Sequence, residues 1–151
     1  MKPAPPGWPR ISSALFYDDA RAAIDWLCEV FRFTVRLRID GEAGRIEHSE
    51  LTFDDGLIMV GSTGARAGRQ VPYSSPRSLG GANTQTLCIY VDDVDAHHAH
   101  AVKCGAKVTR ALATTDYGSE YWTDRSYEAE DPEGHRWFFV QRMRSPGEPA
   151  R

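Results

Sequence analysis

Apolar and polar positions change period along this chain, and the same succession of periods occurs twice. Ile11 to Tyr17 is rich in β-branched and aromatic residues and predicts a strand. Asp18 and Asp19 then supply a helix N-cap, because a carboxylate accepts from the free N–H groups of a first turn. From about Ala20 to Val30 the spacing is helical, with Ala23, Leu27, Val30 and Phe31 forming the buried stripe. Phe33 to Ile39 alternates and predicts a second strand. Residues 40–44 read as a hairpin turn, Arg45 to Phe53 as the third strand, Asp54-Asp55-Gly56 as a tight turn and Leu57 to Gly61 as an apolar fourth strand.

Residues 62–83 hold four glycines and two prolines with no apolar periodicity, and read as a linker. The pattern then restarts. Gln85 to Val91 predicts a strand, Asp92-Asp93 a cap, and Val94 to Cys104 a helix closed by Gly105. Lys107 to Leu112, Arg125 to Glu130 and His135 to Arg142 predict three strands, with an aromatic loop over residues 114–123. Leu15 to Ala22 recurs as Ile89 to Ala96, 74 positions later, and the Gly56 turn is answered by the Gly134 turn 78 positions later. A repeat of this size means two copies of a unit too small to bury its own apolar face. The expectation is an α+β fold of two tandem β-α-β-β-β modules, their sheets forming a curved mixed surface around a central cleft. One domain spans 11–142, with module one at about 11–61, module two at about 84–142, and extended tails at 1–10 and 143–151.

Composition narrows the partners. A net charge of −3 and a pI of about 5.9 argue against nucleic acid or an anionic membrane surface. No apolar run approaches the ~20 residues that span a bilayer, and the N-terminus lacks the apolar stretch of a signal peptide. A cytoplasmic protein is therefore expected. Cys28, Cys88 and Cys104 form no C-x-x-C pair and read as buried reduced thiols. His97, His100 and Cys104 lie near one helix face, a weak zinc signal beside the simpler reading of Cys104 as core.

Several segments together resemble the vicinal oxygen chelate superfamily, which includes glyoxalase I, bleomycin-resistance proteins and extradiol dioxygenases. They are Tyr17 to Leu27, Phe31-Arg32-Phe33, Ile46 to Leu51, Tyr90 to Ala96 and Asp131 to Trp137. Residues 75–81 are similar to the bleomycin-resistance and PhnB-like branch. Arg32 departs from the glycine common at that place, so a different helix exit is expected. The resemblance implies a metal site with ligands from the first and fourth strands of each module. Counting from the Asp pairs and the turn glycines places those positions at Ser12, Val60, Thr86 and Phe138. None offers imidazole, carboxylate or thiolate, so no metal or other cofactor is expected.

Strand parity nominates the cleft lining. Phe16, Tyr90 and Phe138 supply aromatic surface, with Tyr121 and Trp122 on a rim loop. His48 and Glu50 share a face about 7 Å apart and read either as an acid–base pair or as a solvated hydrogen-bonded pair. Arg136 binds an anionic group or pairs with Glu50. Glu50 and Glu128 would counter a cation. The first functional reading is a metal-free protein that sequesters an aromatic or cationic small molecule such as an antibiotic. The branch resemblance also implies a homodimer. The rival reading is a lyase or isomerase using His48 and Glu50.

Overall fold

The computed structural model describes residues 1–149; the last two residues of the expected C-terminal tail lie outside the described residues. The chain folds as two compact units, residues 1–82 and the chain from Asn83 onward. The first contains β1 (Ser13–Tyr17), α1 (Ala20–Phe31), β2 (Thr34–Asp40), β3 (Ile46–Phe53) and β4 (Gly56–Ser62). The second contains β5 (Thr86–Tyr90), α2 (Val94–Lys103), β6 (Lys107–Asp116), β7 (Thr123–Glu130) and β8 (Arg136–Arg144). Each unit is one mixed four-stranded sheet, ordered β1-β4-β3-β2 and β5-β8-β7-β6, whose outer pair at one side is parallel and whose other pairs are antiparallel. The α+β fold of two β-α-β-β-β modules is what the sequence periods predict. Among the described residues no helix is long and apolar enough to cross a membrane.

Each helix covers one face of its own sheet. In α1 the buried side chains are Ala20, Ala23, Ile24, Leu27, Val30 and Phe31, and they meet Leu15, Tyr17, Leu51, Ile58 and Val60 from the sheet. In the second unit Val94, His97 and Ala101 of α2 share the core with Tyr127, Trp137 and Phe139. Full burial of a side chain of this size contributes about 1.5–3 kcal/mol. Asp19 and Asp93 are the helix N-caps, accepting from Ala22 N and Ala96 N. Arg32 takes the left-handed conformation, φ 64° and ψ 29°, and its N–H closes α1 on the Leu27 carbonyl. The helix exit expected to differ therefore keeps the left-handed turn and bears its steric cost of about 1–2 kcal/mol.

Other expectations need correction. Every residue of β2 is exposed, because it is an edge strand with a bulge at Arg36 that sends Val35 and Leu37 to opposite faces. Strand β6 runs on to Asp116, which shortens the aromatic loop, and β8 takes in residues 143–144 of the expected tail. The lead-in is fastened: Arg36 donates to the Gly7 carbonyl and lies over the Trp8 ring at 5.4 Å. Cys88 is exposed rather than buried, since it stands on the face of β5 away from α2.

Candidate functional site

The face of each sheet opposite its helix, its far face, carries most of the residues that the sequence nominated. In the first unit parallel pairing sets Ala14 beside Met59 and Phe16 beside Gly61, while Leu15 and Val60 share the helix face. Val60 is 1% exposed and belongs to the core. Its expected far-face position is thus one residue out, and Met59 is the residue that stands there. The cause lies in the turns. Phe53 pairs with Gly56 across two residues, whereas Glu130 pairs with Arg136 across five, so Gly56 and Gly134 are not equivalent.

Residues 62–75, expected as plain linker, instead form a flap. It leaves β4 with Thr63 N bonded to the Tyr17 carbonyl and closes on itself through paired bonds between Gly64 and Tyr73. Asp18 holds its base, accepting from Thr63 Oγ1 at 2.8 Å, Ser75 Oγ at 3.3 Å and Ser78 Oγ at 3.1 Å. The Thr63 hydroxyl above all, with the two serines and Arg77, lowers the Asp18 carboxyl against an opposing desolvation. The flap lays Tyr73 flat on Phe16, ring centres 3.7 Å apart and planes 5° apart. Arg66 lies over Phe16 at 5.5 Å and Arg69 over Tyr73 at 5.8 Å. Under the flap is a cavity of about 590 Å³ bounded by Phe16, Arg45, His48, Met59, Arg66 and Tyr73.

His48 and Glu50 do meet. His48 Nε2 stands 3.2 Å from Glu50 Oε1. Glu50 is buried, and its other oxygen pairs with Arg36 Nε at 3.1 Å. His48 lines the cavity; Glu50 does not.

In the second unit the far face carries Thr86, Cys88, Tyr90, Arg136 and Phe138 by pairing. Here the organising residue is Arg142. It donates to Asp124 at 2.5 Å and to the Tyr90 hydroxyl at 2.6 Å, and it lies over Tyr90 at 5.5 Å and Trp122 at 5.2 Å. Tyr121 meets Trp122 edge to face at 6.0 Å and is 55% exposed, as is Tyr90. Arg144 fixes the loop beneath these rings by bonding Asp116 and the Gly118 carbonyl. Glu128 pairs with Arg110 at 3.0 Å, and Arg110 lies over Phe138 at 4.9 Å. Arg136 pairs with Glu130 at 3.7 Å, not with Glu50. Partial desolvation first, then the Asp124 carboxylate, push the Cys88 thiol up, so it is a poor nucleophile.

Both carboxylates nominated to counter a cation are thus already neutralised by arginine. The positions at which the resemblance implies a metal do not suit one either. Ser12, Met59, Thr86 and Phe138 present two hydroxyls, a thioether and a ring, none of which suits zinc, nickel, manganese or iron. Among the described residues no group of three or more His, Cys, Asp or Glu is placed to hold a metal. His97 turns inward to the Tyr127 hydroxyl at 2.8 Å, away from the His100–Cys104 contact at 3.6 Å.

Sequence reasoning missed the arginines: Arg36, Arg66, Arg110 and Arg142. Parity could have found Arg142, which follows Phe138 and Val140 on the same face. For Arg36 and Arg110 the signal was the repeat itself, since they stand 74 positions apart. Arg66 lies in a segment without periodicity and gave no signal.

A family model described as the Glyoxalase/Bleomycin resistance protein/Dioxygenase superfamily matches residues 10–139. The chain is 32% identical over 138 residues to the uncharacterized protein Mb0911c of Mycobacterium bovis, covering 90% of this chain and 85% of that one. Among solved structures it resembles TioX from Micromonospora sp. ML1 at 28% identity and a TM-score of 0.70, over 90% of this chain and all of TioX. It also resembles TnmS3, an antibiotic binding protein from Streptomyces sp. CB03234, at 19% identity and a TM-score of 0.60, covering 87% of this chain and 93% of TnmS3. At that identity the likeness is one of fold.

Proposed function

The chain belongs to the glyoxalase/bleomycin resistance protein/dioxygenase superfamily, and we propose that it is a metal-free member that binds and sequesters a small planar aromatic compound, an antibiotic being one such ligand. The observation that carries this reading is the Tyr90–Arg142–Trp122 layer. Its guanidinium is fixed by Asp124 and the Tyr90 hydroxyl, so two rings are held in place before any ligand arrives. A planar ligand stacks on rings and on guanidinium planes alike. The antibiotic-binding Streptomyces protein of like fold supports the same use of the scaffold. The ion-paired states of Glu50 and Glu128 speak for an aromatic ligand over a cationic one.

The test is a thermal-shift and titration screen of planar aromatic compounds against the wild type and Arg142→Ala. Binding that weakens about tenfold in the variant supports the reading. Equal binding by both proteins, or none by either, overturns it.

A second reading, an acid–base lyase or isomerase, rests on one observation: His48 meets Glu50 at 3.2 Å and borders a cavity. Association of two chains belongs to the first reading. It is supported by β2, an edge strand on which Val35, Leu37 and Ile39 are 41–49% exposed. Gel filtration with light scattering tests it.

A further inference from the structure

The cavity under the first unit's flap has a charge that the rest of the chain does not share. Its charged borders are Arg45, Glu47, Arg66 and Arg69, with His48 beside them. Arg45 and Glu47 pair at 3.5 Å and offset one another. Arg66 and Arg69 have no carboxylate partner among the described residues. The Arg69 guanidinium lies over the Tyr73 ring, and Arg66 makes a long 3.5 Å contact to the Ile46 carbonyl. The Nε of Arg66 is buried with no hydrogen-bond partner among the described residues. An anion arriving in the cavity would give the two guanidinium groups the charged acceptor that neither has among the described residues. The whole chain carries −3, so a positive cavity here opposes the global sign and focuses attraction at one place.

Arg66 is also positioned by the sheet. Gly61 lies beside Phe16 in the parallel register, and a Cβ added there would stand 2.6 Å from Arg66 Nη2 and 3.6 Å from the Phe16 ring. The absent side chain is what lets the guanidinium settle against Phe16. Gly61 has an ordinary backbone conformation, so its smallness answers to that close approach.

We infer that this cavity is an anion-selective site: it takes a flat organic carboxylate, the charge held by Arg66 and Arg69 and the flat body lying among Phe16, Tyr73 and Met59. The inference goes beyond the Tyr90–Arg142–Trp122 reading: it assigns to the first unit a site of its own and the sign of the charge that this site reads.

The experiment compares three probes of one shape, 2-naphthoate, 2-naphthamide and 2-naphthylmethylamine, by NMR titration of the full chain up to about 10 mM. The expected result is that the carboxylate binds about tenfold more tightly than the amide and that the amine is weakest. The advantage shrinks as salt rises. It is lost in Arg69→Gln, whose side chain is exposed and whose replacement leaves the core intact, and in Gly61→Ala, which displaces Arg66 without changing the charge. Equal affinity for carboxylate and amide overturns the anion selectivity and leaves the aromatic-binding reading standing. Selectivity unchanged in both variants overturns the assignment to this cavity. No binding of any probe overturns the inference, while the screen against Arg142→Ala tests the broader reading separately.

Discussion

Glu50 and Glu128 occupy the same place in the two modules. Each lies opposite the far-face residue of its last strand, Met59 and Phe138, and each is bound by an edge-strand arginine, Arg36 at 3.1 Å and Arg110 at 3.0 Å. The two arginines are 74 positions apart, so the repeat has kept a whole ion pair. The surroundings differ. The Glu50 side chain is 8% exposed and that of Glu128 34%. Removing one partner of a buried pair strands the other charge, whereas an exposed pair is screened. Glu50→Ala is expected to cost about 3 kcal/mol and Glu128→Ala less than about 1 kcal/mol, measured by urea unfolding. Equal costs would show that burial does not separate them.

Asp18 gives the flap a pH dependence. Its carboxyl is held below the usual value, so the stabilisation is present above the unfolded carboxylate range near pH 4 and is lost as pH falls through the lower folded value. Exposure keeps the effect small, about 1 kcal/mol. Protection of the Thr63 and Tyr73 amides, taken relative to the intrinsic exchange rate at each pH, should fall below pH 4, and Asp18→Ala should show the lowered protection already at neutral pH. Protection insensitive to both changes would remove Asp18 as the anchor.

His48 separates the two functional readings. As a cavity-side residue of a binding protein, His48→Ala changes ligand affinity by less than about tenfold. As a general acid or base its loss would lower turnover by about 10²–10⁴-fold. We expect the first outcome in a titration with the best ligand from the screen. Any substrate converted by the wild type and spared by the variant would decide for the enzyme.

Arg32 offers a gain. Its left-handed backbone carries a cost that glycine lacks, so Arg32→Gly should raise the stability of the first unit by about 1 kcal/mol. Chemical denaturation checks the sign; a loss would mean that the arginine side chain contributes more than the backbone strain takes away.

The sheet cores were legible because their signal is local. Alternation and helical spacing placed Leu15, Tyr17, Leu27, Trp137 and Phe139 inside, and two aspartates marked each helix start. Register was less legible. The two turns differ by three residues, an odd number, and this moved Val60 from the far face to the core, since strand side chains alternate with a period of two. The flap was not legible at all. Nothing periodic in residues 62–75 announces that Tyr73 will lie on Phe16 or that Arg66 will rest above Gly61.

By itself, then, the chain's sequence determined the two β-α-β-β-β modules, their repeat and the aromatic character of the far faces, because pattern, capping and turn chemistry act between near neighbours. The tertiary structure alone decided which charges remain free. Arg36 and Arg110 pair with Glu50 and Glu128, Arg142 is locked between Tyr90 and Asp124, and Arg66 under the flap has no carboxylate partner among the described residues. Ion pairing depends on distances of a few ångströms between residues far apart in sequence, and only the folded chain sets those distances.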